Sequence, residues 1–238
     1  DAVQLEDAID QFVRRQLASS TPMLDMRLFS RGTFSGALLV NLLSVLSLVG
    51  FLYFVAQHLQ LIVGLSPMDA GFALVPGMIA MIVAGLVVVP IARRVSPRIV
   101  VPAALMFSIV AYLLVPGAVG DGALVLLVAA FTLLGIGIGA AETVSNDLIL
   151  SSAPPEKAGA ASAVSETAYE VGAVLGTAVL GGILTAVYRT GIVLPSGITG
   201  AAADAARETL AGAIRVADTL DAATGDALRI GRASCRER

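Results

Sequence analysis

Four carboxylates stand within or at the edge of long apolar stretches in the second half of the chain: Glu142, Asp147, Glu166 and Glu170. A charged side chain in hydrocarbon costs free energy, so an acid in such a stretch is a functional candidate by default. Glu166 and Glu170 are four residues apart, which puts them on one face of a helix. Two neighbouring carboxyl groups in a low dielectric do not both ionise at neutral pH. This pair is therefore predicted to hold an exchangeable proton, and an ionised member would attract a lipophilic cation.

The depth of these acids follows from counting along a helix away from the turn at Pro154. At about 1.5 Å per residue, Glu142 and Glu170 lie roughly 18 to 24 Å from that turn, near the middle of a membrane. Asp147 and Glu166 lie roughly 10 to 18 Å from the turn. Asp147 also fits a purely structural position at the membrane interface.

Polar neighbours accompany the acids. Tyr169 lies between Glu166 and Glu170 in the chain, where it can donate a hydrogen bond or offer an aromatic face to a cation. Ser145 and Asn146 follow Glu142 by one turn and indicate a polar cavity wall. The alternative is that all these acids pair with Arg or Asn on other helices and only fix helix packing.

The composition identifies the elements that must position these residues. Hydrophobic residues make up 57% of the 238 residues and charged residues 14%, and the mean hydropathy is +0.88, which is typical of a membrane protein. Three stretches contain no Asp, Glu, Lys or Arg, and each exceeds the roughly 20 residues that cross a bilayer: Gly32 to Ala56, Ala70 to Ala92 and Ile99 to Gly120. The fold class is predicted to be all-α, a polytopic membrane helical bundle.

Five spans are predicted, and they must be helices because a lipid-exposed irregular backbone could not satisfy its hydrogen bonds. They cover Thr33 to Gln57, Ala70 to Ala92, Ile99 to Val119, Gly122 to Leu150 and Ala158 to Tyr188. Small residues at helix contacts let membrane helices approach closely. This is the interpretation of Gly135, Gly137 and Gly139, which resemble a dinucleotide-binding fingerprint only in spacing, and of Gly172, Gly176 and Gly181.

Basic residues predict the orientation. Arg14, Arg15, Arg27 and Arg31 precede the first span, Arg93, Arg94 and Arg98 follow the second, and Lys157 follows the fourth, whereas the loops at 58–69 and 120–121 contain neither Lys nor Arg. By the positive-inside rule, residues before the first span are cytoplasmic and the segment after Tyr188 is extracytoplasmic. Arg93, Arg94 and Arg98 then serve topology, with a contact in a cytoplasmic gate as the alternative.

These observations divide the chain into four segments. Residues 1–32 are predicted to be a cytoplasmic lead-in, 33–188 a partial helical bundle with its five spans, and 189–229 an extracytoplasmic loop that has a helical pattern around Ala201 to Leu220. Residues 230–238 read IGRASCRER, as a translated sequencing adaptor would, and are set apart from the fold. The single cysteine, Cys235, excludes a disulfide framework within this chain.

Three separated motifs carry a resemblance to a known family. They are PMLDMRLF before the first span, SPMDAGFALVPGMIAMIVAGLVVVPIARRVSPR through the second, and PPEKAGAASAVSETAYEVGAVLGTAVLG into the fifth. These motifs resemble the fourteen-span drug:proton antiporters of the major facilitator superfamily. NDLIL on the fourth span and SETAYE on the fifth look most like exporters of quaternary ammonium compounds.

The resemblance implies that the five spans correspond to spans nine to thirteen, within the C-terminal bundle of such a transporter. Glu166 takes the place of a membrane acid linked with proton coupling, Glu170 that of its acidic neighbour, and Arg93, Arg94 and Arg98 that of the basic cytoplasmic loop. The implied function is efflux of small lipophilic cations across the cytoplasmic membrane in exchange for protons. The proton motive force would drive it, with no cofactor or metal.

The implied partners are protons, lipophilic cations, the lipid bilayer and an N-terminal bundle of the same polypeptide, with no nucleic acid. Two alternatives stay open: a major facilitator transporter of another small solute, and a non-transporting membrane scaffold or sensor in which the carboxylates are silent. An enzyme is not predicted, because the sequence offers no metal cluster, no nucleophile with a His base and no cofactor loop.

Overall fold

A computed structural model of the chain describes residues 26–118, 123–192, 194 and 198–220, together with Gln11 and Arg14. Regular structure within these ranges is entirely helical. The α-helices are α1 Gly32–Gln57, α2 Pro67–Ala92, α3 Pro97–Leu114, α4 Ala123–Ser152, α5 Ala158–Leu175, α6 Gly181–Gly191, α7 Gly200–Glu208 and α8 Leu210–Thr219. The predicted all-α class is confirmed.

Short 3-10 and π-helical segments precede or extend these helices. They are the 3-10 turns Met26–Ser30, Val115–Gly117 and Pro155–Lys157 and the π-helical turns His58–Ile62 and Gly176–Leu180. With them, five helices are long and apolar enough to cross a membrane: Gly32–Ile62, Pro67–Ala92, Pro97–Gly117, Ala123–Ser152 and Pro155–Gly191. These are spans 1 to 5, and they confirm the five spans predicted from the sequence. The predicted ends at Val119 and Gly122 lie outside the described residues.

Span 1 is longer than predicted. The sequence placed His58 at the start of a loop, but the helix continues through Ile62 as a π-helical turn, in which the Val63 N–H donates to the His58 carbonyl at 3.0 Å. The His58 side chain is half-buried, and its ring centroid lies 5.8 Å from that of Phe54. Gly64 follows with φ of 81°, a left-handed conformation that often ends helices.

Hydrogen bonds at the helix starts explain the boundaries of spans 2 and 3. Ser66 precedes Pro67, accepts the Asp69 N–H at 3.2 Å and donates its hydroxyl to the Asp69 carboxylate at 2.7 Å. Ser96 precedes Pro97 and accepts the Arg98 N–H at 3.4 Å. Serine before proline at the first helical position is a strong start signal, because proline has no N–H to lose there.

The chain divides into two compact units, of which the first contains the sequence up to Leu48 and Leu74–Val174. One of its apolar clusters joins the segment before span 1 to spans 1, 4 and 5, with Leu28, Phe34, Ala37, Ile149 and Ala161 all buried. A second cluster joins spans 2, 3 and 4 through Val88, Val100 and Val144. Span 4 therefore lies in the centre of this unit.

The second unit contains Val49–Ala73 and the sequence from Leu175 onward. Its core is an α7–α8 hairpin whose buried residues are mainly alanine, packed against Tyr188 and its neighbours. The Tyr188 hydroxyl donates to the Ala206 carbonyl at 2.7 Å. Thr209 breaks the helical pattern predicted around 201–220 into two helices, and its hydroxyl accepts the Gly212 N–H at 3.0 Å.

Candidate functional site

Span 4 is held on two sides by backbone contacts at its glycines. A Cβ built on Gly135 would lie 2.5 Å from the Gly77 carbonyl oxygen of span 2, and one on Gly139 would overlap the Met81 carbonyl oxygen. On the other side, a Cβ on Gly137 would lie 2.6 Å from the Ala104 carbonyl oxygen of span 3. Only glycine allows these approaches. The predicted role of these three glycines in helix packing is confirmed.

Helix α5 is positioned by span 1 in the same way. A Cβ on Gly172 would lie 2.6 Å from the Leu42 carbonyl oxygen. Next to Leu42 in span 1, the buried Asn41 donates its Nδ2 to the Ser165 hydroxyl of α5 at 3.2 Å. The Ser165 hydroxyl in turn donates to the Asn146 Oδ1 of span 4 at 3.4 Å. This polar bridge joins spans 1, 4 and 5.

Beside the polar bridge, three of the predicted site residues come together. Tyr169 of α5 is half-buried, and the charges of Glu142 and Glu166 both act on its phenol. Glu142 is half-buried on span 4, one turn beyond Gly139. We name these three residues the carboxylate cluster.

The two acids of the carboxylate cluster differ in environment. The Oε1 atom of Glu142 is buried and has no hydrogen-bond partner within the described part of the chain, whereas Glu166 is exposed. An unpartnered carboxyl oxygen in a poorly solvated position is a costly arrangement. A proton on the carboxyl group, or a cation beside it, removes that cost.

The remaining predicted acids lie outside the carboxylate cluster. Glu170 is one turn from Glu166 on α5, as the spacing predicted, and both are exposed. Asp147 is exposed on span 4. Glu166 therefore has two acidic neighbours. Glu170 lies four residues along the same helix, as the sequence predicted, and Glu142 lies on another helix and acts on the same tyrosine, Tyr169.

Several buried polar side chains were missed by the sequence reasoning. Asn41 and Ser44 of span 1 and Ser165 of α5 are buried, and the Asn41 Oδ1 and Ser44 Oγ atoms have no hydrogen-bond partner among the described residues. A signal existed for Asn41, because it interrupts a charge-free apolar stretch with an amide. Serine is common in membrane helices, so Ser44 and Ser165 offered no comparable signal.

Of the basic residues predicted for topology or a gate, Arg93 and Arg94 lie between spans 2 and 3, and Arg98 lies in the first turn of span 3. Arg93, Arg94 and Arg98 are all exposed. Within the described ranges, no group of three or more His, Cys, Asp or Glu side chains is arranged to hold a metal ion. What the described site offers chemically is two carboxyl groups whose charges act on one phenol, residue types that can bind a proton or a cation.

Comparisons with known proteins identify the family of the chain. Residues 11–205 match the family described as Major Facilitator Superfamily. The multidrug efflux pump LfrA of Mycolicibacterium smegmatis is 46% identical over 217 residues, which is 91% of this chain and 43% of LfrA. The methyl viologen resistance protein SmvA of Salmonella typhimurium is 33% identical over 219 residues, 91% of this chain and 44% of SmvA.

A more distant relative is the tetracenomycin C resistance and export protein of Streptomyces glaucescens, 29% identical over 184 residues, 77% of this chain and 34% of that protein. The chain thus spans less than half the length of these curated relatives. The family match covers most of the chain, and five membrane-spanning helices agree with it. The chain is therefore a multi-pass membrane protein that belongs to the Major Facilitator Superfamily.

Proposed function

We propose that this chain is part of a transporter that exports lipophilic cationic drugs, quaternary ammonium compounds among them, in exchange for protons. The observation that carries the proposal is the carboxylate cluster: the buried, unpartnered Oε1 of Glu142, the phenol of Tyr169 and the carboxyl group of Glu166. A membrane carboxyl group without a fixed partner is what a site alternating between a proton and an organic cation requires.

The mechanism follows from competition for one negative site. When the cluster opens to the cytoplasm, a lipophilic cation displaces the proton, because the ionised carboxyl group attracts it and the Tyr169 ring offers it an aromatic face. When the cluster opens outward, a proton from the outer solution displaces the cation. The polar bridge from Asn41 through Ser165 to Asn146 keeps α5 in register with span 4, so that Glu142 and Glu166 act together.

The similar proteins support export of drugs as the function. One is a multidrug efflux pump and another a methyl viologen resistance protein, and methyl viologen is an aromatic dication. Because this chain spans 43% of one and 44% of the other, we assign the rest of the transport pathway to a second helical bundle of the same polypeptide. Transport then proceeds by movement of the two bundles about the site.

The proposed orientation places Arg31, Arg93, Arg94 and Arg98 in the cytoplasm and the segment after Tyr188 outside. The proton motive force is the energy source, so no cofactor is needed. The five spans by themselves are not expected to transport, since they supply only one wall of the cavity.

The test is ethidium efflux from cells that express a full-length transporter containing these five spans, with and without a protonophore. Wild type is compared with Glu166→Gln and Glu170→Gln at equal expression. We expect protonophore-sensitive efflux in wild type, loss of efflux to the background rate in Glu166→Gln, and measurable efflux in Glu170→Gln, which lies outside the carboxylate cluster.

The alternatives give different results. Efflux of ethidium that ignores the protonophore would contradict proton coupling. If the wild type moves no cationic dye but accumulates or exports another solute, that solute would replace lipophilic cations as the proposed cargo. If neither dye nor any tested solute moves, and the Glu166→Gln cells are indistinguishable from wild type, a scaffold or sensor role takes precedence.

A further inference from the structure

A cavity that does not include the carboxylate cluster lies in the first unit between spans 1, 3 and 4. Its volume is about 760 Å³. It opens beside the start of span 1 and the start of span 3, where Thr33 and Arg98 line it. Under the orientation proposed above, this is the cytoplasmic end of the spans.

The mouth of the cavity is electropositive. Helix α1 begins there at Gly32 and has no acidic residue in its first turn, whereas the first N–H groups of α3 are already accepted by Ser96. The first N–H groups of a helix carry a partial positive charge and seek an acceptor. Arg98 adds a full positive charge, and no Asp or Glu occurs among the described residues that line the cavity. The mouth therefore favours an anion.

The wall of the cavity offers an independent indication of a ligand. Ser145 lines it from span 4, is 0% exposed, and its Oγ has no hydrogen-bond partner among the described residues. A buried hydroxyl group without a partner costs free energy. A polar ligand atom next to Ser145 would remove that cost.

Deeper in, the cavity is apolar. Val40, Val101 and Leu148 line it, and Gly36 leaves open space where a side chain would otherwise stand. A ligand with an anionic group at the mouth and a hydrocarbon tail in the interior fits both regions of the cavity. A free inorganic anion fits only the mouth. Basic pockets between membrane helices on the cytoplasmic side are known to hold acidic lipid headgroups.

We propose that this cavity binds one anionic phospholipid. Its phosphate lies at Arg98 and the start of span 1, a headgroup or ester oxygen accepts from Ser145, and an acyl chain lies along Val101 and Leu148.

The test is native mass spectrometry of the full chain released from detergent, titrated separately with phosphatidylglycerol and phosphatidylcholine of the same acyl chains. We expect phosphatidylglycerol to bind at least about fivefold more tightly, the gain expected for one basic residue near the surface. Arg98→Gln should remove that preference, and Arg98→Lys should keep most of it. Arg94→Gln is the matched control, because Arg94 is an exposed arginine four residues before Arg98 but does not line the cavity.

A second pair of variants tests the tail site. Gly36→Leu fills the open space and should abolish binding of both lipids, whereas Gly182→Leu, at another glycine with open space around it, should not. Equal binding of the two lipids by wild type, or equal losses in Arg94→Gln and Arg98→Gln, would overturn the proposal. So would displacement of phosphatidylglycerol by millimolar inorganic phosphate together with unchanged phosphate binding in Gly36→Leu, which would identify a free anion as the ligand.

Discussion

Span 4 and span 5 carry the four candidate acids of the predicted site, yet they differ in how much of each span is buried. Half of the residues in an apolar stretch of span 4 are buried, against 11% in the corresponding stretch of span 5. Span 4 contacts spans 2 and 3 through glycines that touch backbone atoms, and its acid Glu142 is half-buried. Helix α5 of span 5 presents Glu166 and Glu170 on an exposed surface. Span 4 thus holds a half-buried acid in a packed position, and span 5 presents two exposed ones.

The largest expected effect on stability comes from substituting two glycines, one in span 4 and one in span 5. In span 4, Gly139→Leu drives a side chain into the Met81 carbonyl and should lower the free energy of unfolding by about 3 kcal/mol. In span 5, Gly159→Leu meets open space and should change it by less than about 1 kcal/mol. Thermal unfolding of both variants in detergent, beside wild type, measures the difference. Equal losses of unfolding free energy in the two variants would contradict the difference in packing between these two positions.

A smaller effect is expected at the polar bridge that joins the spans. Asn41→Ala removes the hydrogen bond to Ser165 and should cost about 1 kcal/mol, within the range measured for hydrogen bonds between membrane helices. The check is a double-mutant cycle with Ser165→Ala. A coupling energy near zero would show that the two side chains do not stabilise each other and that α5 is held to span 1 by packing alone.

The smallest effect compares two threonines that bond to their own helices. Thr143 of span 4 donates to the Gly139 carbonyl at 2.8 Å, and Thr167 of α5 donates to the Ala163 carbonyl at 2.9 Å. Thr143 also faces Gly85, on which a Cβ would lie 3.0 Å from its Oγ1. We expect Thr143→Ala to cost about 0.5 kcal/mol through lost packing, and the exposed Thr167→Ala to be neutral or slightly stabilising because alanine favours helices. The same unfolding assay distinguishes them, and a greater loss in Thr167→Ala would contradict the comparison.

The sequence predicted the spans well, because length and uninterrupted apolar character determine whether a helix can cross a membrane. It also predicted that Gly135, Gly137 and Gly139 form contacts, since glycine has few other uses inside an apolar helix. The end of span 1 was predicted wrongly at His58. A π-helical turn keeps that half-buried residue helical, and polarity alone suggested a loop.

The site was predicted only in part. Spacing along one helix pointed to Glu166 and Glu170, because i and i+4 residues are visible in a single sequence. The approach of Glu142 to Tyr169 depends on how span 4 packs against α5, and that in turn depends on glycine contacts and on Asn41. Pairing between helices leaves no periodic signal in one sequence, so the sequence pointed to Glu170, and not to Glu142, as the neighbour of Glu166.

The most direct test of the carboxylate cluster is proton release on binding of a lipophilic cation. A purified full-length transporter containing these spans is held in weakly buffered detergent with a pH-sensitive dye, and tetraphenylphosphonium is added. We expect wild type and Asp147→Asn to release protons, and Glu142→Gln and Glu166→Gln each to release fewer. Unchanged release from Glu142→Gln, or release lost from Asp147→Asn but kept in both Glu variants, would contradict the claim that spans 4 and 5 share one proton and cation site.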